Sequence, residues 1–462
     1  MDQVTGGSAS QKVSRERARV ATWASMVGAV ADWYDYFLYG TAAAIVFGPL
    51  YFPGSVAHGT LAAFASFAVG FFFRPVGSAV FGHFGDKLGR KRMLVLTLML
   101  MAGASTLMGL LPTYSQIGIA APVLLVLLRA VQGIAVGGEY GGAALMAVES
   151  APPGEKALRG SVVQSGAFLG LLLANGVFFL LAYVLPQDAF KSWGWRIAFL
   201  LSAVILLVGY WVRRTAQDTP EFEQAKQQGK VVKVPLLAAM QRQPTSFLIV
   251  VGLYLGANVA TYTVLTFAIA YGTVYAHVGK SVLLVATTVA AAAALFTVPL
   301  AAKYADKNGY LPVFLFGAVL AAAMAFPFFW SLDSGNSLLI VVTTVVVLAG
   351  AAVCMVSVQQ PIFTELFDTE FRYSGAGFAY GLGGMLGGLS PFIATYLVTL
   401  GGGKGTYPAL FMAAISIVSL LTALIVRRRI NGIYQGDTEF SVTYGSAMSG
   451  VTGNGSIGAS NL

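Results

Sequence analysis

Charge is scarce in this chain. Lys, Arg, Asp and Glu make up 10% of its 462 residues, against about 25% in an ordinary soluble domain. Hydrophobic residues reach 57%, and the mean hydropathy is +0.74. A water-soluble fold of this length has no interior large enough to hide that much apolar surface, so a soluble globule is excluded. Cysteine is nearly absent. Cys354 stands alone in an apolar run, which leaves no disulfide to form. The three histidines, His58, His83 and His277, are scattered without ligand-like spacing, and no metal site is expected. Residues 1–19 are polar, carry Lys12, Arg15, Arg17 and Arg19, and do not lead into an apolar stretch ending at small residues. No cleaved signal peptide is therefore expected.

What the chain has instead is long hydrophobic runs, at about 20–47, 60–83, 93–111, 117–148, 160–185 and 194–212, then 246–273, 281–302, 311–330, 337–362, 374–400 and 407–426. A bilayer core takes about 20 apolar residues per helix, so the runs read as six membrane spans, a gap and six more. The expected fold is all-α and integral to a membrane, with twelve transmembrane helices in two six-helix bundles. An N-terminal tail covers 1–19, the first bundle 20–212, a linker 213–245, the second bundle 246–427 and a C-terminal tail 428–462. The linker holds Glu221, Glu223, Lys226, Lys230 and Lys233 and reads as a polar loop. The tail from Asn431 onward, rich in Gly and Ser, is expected to be disordered.

The net charge of +9 does not point to nucleic acid, because the basic residues fall at span ends rather than along one stripe. With the N-terminus inside, 22 of the 28 Lys and Arg occupy inside loops and tails, and the outside keeps only Lys191, Arg196, Lys280 and Lys404. That bias predicts both termini in the cytoplasm. The halves also echo one another. Gly82-His-Phe-Gly-Asp-Lys-Leu-Gly-Arg-Lys-Arg92 follows the second span and Ala301-Ala-Lys-Tyr-Ala-Asp-Lys-Asn-Gly309 the eighth; Glu149 precedes Arg159 as Glu365 precedes Arg372. Two parallel halves of six spans are one layout of secondary transporters.

Ionisable groups inside a bilayer are costly and mark substrate or ion pathways by default. Here they are few. Asp32 and Asp35 lie three apart in the first span and project toward a common region. Arg129 and Glu139 lie ten apart in the fourth, and Arg74 precedes Pro75 in the second. Asp35, Asp32 and Glu139 are the candidate proton carriers; either aspartate could equally be a fixed partner of Arg129 or Arg74, and Glu139 a satisfied intrahelical group. Arg129 offers the bidentate fork that a carboxylate wants, unless it is permanently paired with Asp35. Substrate hydroxyls could meet Tyr36, Gln132, Asn258, Tyr262, Gln359 and Gln360, all of which could equally serve helix packing. The glycine runs 137–142 and 381–388 follow no strand and carry no phosphate-loop lysine. They read as close-packing surfaces between helices.

The 82–92 loop resembles the signature of the major facilitator superfamily. That resemblance implies the matching fold and a cytoplasmic gate of Asp86, Arg90 and Arg92 facing Glu149 and Arg159; the second-half copy, with Asn308 and Tyr310, lacks the arginines. Further motifs are Ala31-Asp-Trp-Tyr-Asp-Tyr-Phe-Leu-Tyr39, Phe73-Arg-Pro-Val-Gly77, Arg129-Ala-Val-Gln-Gly-Ile-Ala-Val-Gly-Gly-Glu139, Trp193-Gly-Trp-Arg-Ile197 and Gln359-Gln-Pro-Ile-Phe-Thr-Glu365, running on to Arg372-Tyr-Ser-Gly-Ala-Gly377. Together these resemble the metabolite:H+ symporter family. The resemblance implies import of an organic acid with protons by alternating access across a bacterial inner membrane. It also implies a cavity lined by the first, fourth, seventh and tenth spans, no cofactor beyond the coupling proton, and action as a monomer. Shikimate is the first expected substrate, with a dicarboxylate, an aromatic acid or a betaine- or proline-like osmolyte as alternatives. A membrane-embedded enzyme is disfavoured by the lack of a nucleophile with a base at useful spacing.

Overall fold

An apolar run in lipid must satisfy every backbone N–H and C=O within itself, and the helix is the form that does so in a single segment. The computed structural model describes residues 23–436 apart from 24, 54–55, 89, 150, 153 and 216–234, and no strand occurs among them. The first half comprises α1 (25–51), α2 (Val56–Leu88), α3 (Arg90–Leu110), α4 (Ala120–Glu149), α5 (Lys156–Val184) and α6 (Trp195–Thr215). The second comprises α7 (Pro244–Val274), α8 (Lys280–Asn308), α9 (Tyr310–Ser334), α10 (Ser337–Glu365), α11 (Arg372–Leu400) and α12 (Thr406–Ile425). Ten of these are apolar and long enough to cross a bilayer, and α1 and α6 fill the first and sixth places in the order. Large side chains such as Phe179 (75% exposed), Phe296 and Ile425 stand outward, as a lipid-facing belt requires.

The halves repeat in detail. α1 and α7 each pass through a π-helical turn about five turns along, at Ala43–Phe47 and Thr263–Phe267, and α10 carries another at Val346–Ala352. Such turns break the regular hydrogen-bond ladder and are frequent at functional sites. The first half is centred on aromatic packing of Tyr39, Phe47, Tyr51, Trp195 and Phe199. The second has two apolar clusters, one of which takes in Phe168 and Leu171 of α5. The bundles meet where α2 packs on α11 and α5 on α8.

Glycine sets the closeness of these contacts. A Cβ on Gly137 of α4 would fall 2.0 Å from the carbonyl oxygen of Arg74 on α2, and one on Gly388 of α11 would fall 2.1 Å from the Phe71 ring of α2. Both glycine runs therefore bring helix backbones nearer to α2 than any side chain allows.

Two segments differ from expectation. Residues 427–436 are helical; Ile430 is buried there, and the Tyr434 hydroxyl donates to the Lys307 carbonyl at 2.9 Å. Apolar anchoring thus orders 431–436, the start of a tail whose composition suggested disorder. Within the 213–245 linker, Pro235–Arg242 is a helix whose Arg242 pairs with Glu370 at 3.2 Å. Residues 1–19, most of the linker and 437–462 lie outside the described residues.

Gly137→Leu forces α2 and α4 apart, and overpacking of this kind destabilises by about 1–3 kcal/mol or more. A thermal melt of the detergent-solubilised protein is expected to shift down by several degrees. Gly176→Ala, whose Cβ meets nothing within 4 Å, is expected to leave the melt unchanged.

Candidate functional site

A small, partly open cavity of about 40 Å3 lies between the halves. α1 contributes Asp32, Trp33 and Tyr36 to its wall, α2 Arg74 and α4 Glu139; Gln164 comes from α5, Gln360 from α10 and Tyr380 from α11. The expectation of walls from the first, fourth, seventh and tenth spans holds for three of those four. α2, α5 and α11 join them, and no α7 side chain lines the cavity.

Arg74 is 1% exposed, and none of its three guanidinium nitrogens has a hydrogen-bond partner among the described residues. Rings hold it in place of acceptors: its guanidinium carbon lies 4.6 Å from the Phe71 centroid, 4.9 Å from Tyr36 and 5.8 Å from Trp33. These distances are those of cation–π contacts, which leave the in-plane donors unused. The cavity thus has an arginine fork at its wall with Asp32 (5% exposed) and Glu139 (6% exposed) on the same surface.

Arg129 is placed differently. It is fully buried, donates from Nη1 to Gln132 Oε1 at 2.9 Å and from Nε to the Phe67 carbonyl at 3.4 Å, and is not part of the cavity wall. Its guanidinium lies 4.6 Å from the Tyr36 ring and 4.4 Å from Tyr39, so Tyr36 touches both arginines. Gly70 makes room for it, since a Cβ there would come within 2.7 Å of Arg129 Nε. Gln132 is likewise committed, as its Nε2 donates to Ser105 Oγ at 2.6 Å. Asp35 is held not by Arg129 but by Ser202 of α6, which donates to Oδ1.

Asp32 and Asp35 therefore do not share a region. Three residues is about 300° of helical turn, leaving roughly 60° between them. In this packing that angle is enough to send Asp32 to the cavity and Asp35 into the α3–α6 side of the first half.

The remaining polar candidates scatter. Gln360 lines the cavity and its buried neighbour Gln359 does not. Asn258 reaches the Gly383 carbonyl at 3.5 Å, and the Tyr262 ring packs edge-on against Phe71 at 5.3 Å. Gln164 and Tyr380 were not singled out from the sequence. Gln164 is one of two amides, with Asn175, in a largely apolar span, the same kind of signal that picked out the charged residues. Tyr380 was masked by its glycine-rich surroundings, and it stacks on Tyr254 at 4.3 Å.

At the end of the molecule bearing the 82–92 motif, whose described residues are helical ends of α2 and α3 rather than the expected loop, charges join the halves. Arg372 contacts Glu149 across the interface at 3.3 Å and Glu365 at 3.3 Å, and Lys156 contacts Glu365 at 3.1 Å. Asp306 of the second half accepts from the backbone N–H of Ala157 and Leu158, both at 2.9 Å. It thereby caps the N-terminus of α5, where a carboxylate is favoured. The second-half motif, without its arginines, thus works through backbone amides of the opposite bundle. Arg159 bonds Glu155 one turn earlier at 2.9 Å and Arg92 is exposed. The side chains of Asp86 and Arg90 lie outside the described residues.

The model of the Major Facilitator Superfamily matches residues 26–360. The chain belongs to that superfamily. It is 44% identical over 419 residues to the shikimate transporter of Escherichia coli K12, covering 90% of this chain and 96% of the relative. It is 38% identical to the inner membrane metabolite transport protein YhjE of the same organism, covering 88% and 94%. It is 30% identical to the proline/betaine transporter of Salmonella typhimurium LT2, covering 91% and 86%. The fold is that of a proton:xylose symporter, XylE, solved with a bromodeoxyglucose, at a TM-score of 0.72 and 15% identity over 90% of this chain and 96% of that one. Fold and relatives are those of transporters, not enzymes.

The ion cluster generates a test. Glu149 has a side chain only 1% exposed, and removing one partner of a buried charge is destabilising. In a Cys354→Ser background with spin labels at positions 92 and 303, Arg372→Ala is expected to add a longer-distance population to the pulsed electron resonance distribution. An unchanged distribution means that the cluster does not hold the halves together.

Proposed function

We propose that the chain is a proton-coupled symporter that imports a small organic acid, shikimate first among them, across the bacterial inner membrane. The observation that carries this reading is Arg74: a buried cation with unused donors at the wall of a cavity built from both halves. A carboxylate is the ligand whose geometry matches a guanidinium fork. Gln164, Gln360 and Tyr380 supply neutral donors and acceptors for ring hydroxyls. The 44% identical relative, named a shikimate transporter, supports the choice of substrate.

In this mechanism the proton is taken up by the carboxylates of α1 and α4, Asp35 foremost with Asp32 and Glu139 beside the substrate. Loading lowers the charge of the site, and the two bundles rock about it so that the cavity opens to the cytoplasm. Both termini and the 82–92 motif face the cytoplasm, following the bias of Lys and Arg. The carrier acts as a monomer and binds no cofactor.

A second reading, a zwitterion such as a betaine, draws on the two acidic wall residues and the Trp33, Tyr36 and Tyr380 rings, a setting that also suits a quaternary cation. The 30% identical proline/betaine transporter points the same way.

Proteoliposome uptake of labelled shikimate under an inward proton gradient tests the proposal. Arg74→Ala removes a charge-assisted pair worth about 1.5–3 kcal/mol and is expected to raise the half-saturation concentration at least ~10-fold. Arg74→Lys is expected to recover part of it. Absence of wild-type shikimate uptake, with another organic acid or a betaine accumulating instead, keeps the family and removes shikimate.

A further inference from the structure

α12 passes from apolar to basic within a few residues. Leu421, Leu424 and Ile425 stand outward at its end, Ile425 being 81% exposed. Arg427, Arg428 and Arg429 follow as the first turn of the 427–436 helix. That is the wrong end of a helix for cations, because the dipole there favours negative charge. The helix is nonetheless fixed on the second half. Ile430 is fully buried, Val426, Ile433 and Tyr434 pack on the same apolar cluster, and the Tyr434 hydroxyl bonds the Lys307 carbonyl at the α8–α9 turn. At about 1.5 Å per residue the helix runs about 15 Å.

Of the three arginines, Arg429 turns toward α7, its Nη2 lying 3.4 Å from Ser246 Oγ. Arg427 and Arg428 are exposed and form neither hydrogen bond nor ion pair among the described residues. The carboxylates described at this end are committed elsewhere: Asp306 to the α5 amides, Glu370 to Arg242, Asp368 to Gln243, and Glu149 and Glu365 to Arg372 and Lys156. An apolar side chain open to lipid and two unanswered guanidinium groups thus stand within four residues of one another. A free anion matches the arginines alone, and an uncharged lipid matches Ile425 alone. A phospholipid with a net negative headgroup matches both.

We propose that Arg427 and Arg428 form a docking site for an anionic phospholipid of the surrounding bilayer. The phosphodiester is held by the two guanidinium groups at the first turn of the 427–436 helix, where its charge offsets the helix dipole. One acyl chain runs along Leu421, Leu424 and Ile425. The site belongs to the second half alone, so a bound lipid moves with that bundle and leaves the ion pairs between the halves untouched. It does not depend on which solute the carrier moves.

The test is native mass spectrometry of the whole protein, released from detergent after incubation with an equimolar mixture of phosphatidylglycerol and phosphatidylethanolamine. Wild type is expected to retain phosphatidylglycerol in preference. Arg427→Ala combined with Arg428→Ala is expected to lower the ratio of phosphatidylglycerol-bound to free protein by about 5-fold or more, with the phosphatidylethanolamine adduct unchanged. Arg427→Lys with Arg428→Lys, which keeps both charges, is expected to recover most of the loss. Lys280→Ala with Lys404→Ala removes two exposed cations from the opposite end and is expected to change nothing. Glycerophosphate, an anion of the same kind without chains, is expected not to displace the lipid. Equal retention of the two lipids by wild type, an unchanged ratio in the double alanine variant, or an equal loss in the lysine control overturns the proposal. Displacement by glycerophosphate also overturns it, in favour of a site for free anions.

Discussion

A guanidinium buried among rings is the constraint around which this protein is arranged. Centring an arginine in a bilayer costs about 2.5–3.5 kcal/mol on insertion scales and far more where water and lipid headgroups cannot reach it. Arg74 recovers part of that from Phe71, Tyr36 and Trp33, each contact contributing about 0.5–2 kcal/mol. The aromatic cage requires α1 and α2 to lie close, and the approach of α11 from the other half, with Gly384 3.2 Å from Arg74 Nη1 at its Cβ position, requires glycine there. The glycine-rich face of α11 is thus explained by the charge it covers as well as by helix packing. A bound anion would supply the in-plane hydrogen bonds that the rings do not.

The second organising fact is the division of polar groups between bodies. Asp35, Ser105, Gln132, Arg129 and Ser202 lie wholly within the first half, whereas the cavity takes Gln360 and Tyr380 from the second. A cluster inside one rigid bundle keeps its geometry while the bundles rock, and a cavity between bundles cannot. In the proposed mechanism, coupling a proton held in the one to a solute held in the other needs an element belonging to both. Tyr36 meets that description: it follows Asp35 in the chain, lines the cavity and carries both arginines against its ring.

Much of this was legible in the sequence because intramembrane charge is rare. Twelve apolar runs, their division six and six, and the short set Asp32, Asp35, Arg74, Arg129 and Glu139 follow from hydropathy and from the cost of ionisable groups in lipid. What does not follow is which arginine meets the cavity. Arg74 and Arg129 are both arginines in apolar spans, and only the packing of α2 against α4 decides that one borders open space and the other turns to Gln132. The separation of Asp32 from Asp35 was hidden for a similar reason: an offset of about 60° is small on a helical wheel and large between two crevices. The cap made by Asp306 could not be seen at all, because its partners are backbone amides, which no residue type announces.

The ion cluster and the cavity share their helices, and this bears on how one could act on the other. Lys156 begins α5 and Glu365 ends α10. Gln164 lies eight residues along α5 and Gln360 five residues back on α10, about 12 Å and 7.5 Å of helix from those charges. In the proposed mechanism, a solute drawn between Gln164 and Gln360 would pull the same pair of helices together that the Lys156–Glu365 contact joins at their ends. Separating those ends, as opening toward the 82–92 motif demands, must then either stretch the solute contacts or tilt both helices about them. The close approach of α5 to α10, marked by the Gly160 Cβ position only 2.5 Å from Gln360 Cβ, makes a tilt about that point the easier motion. Two rigid helices pivoting on a small residue need no long pathway between site and gate, only a contact close enough to serve as the fulcrum.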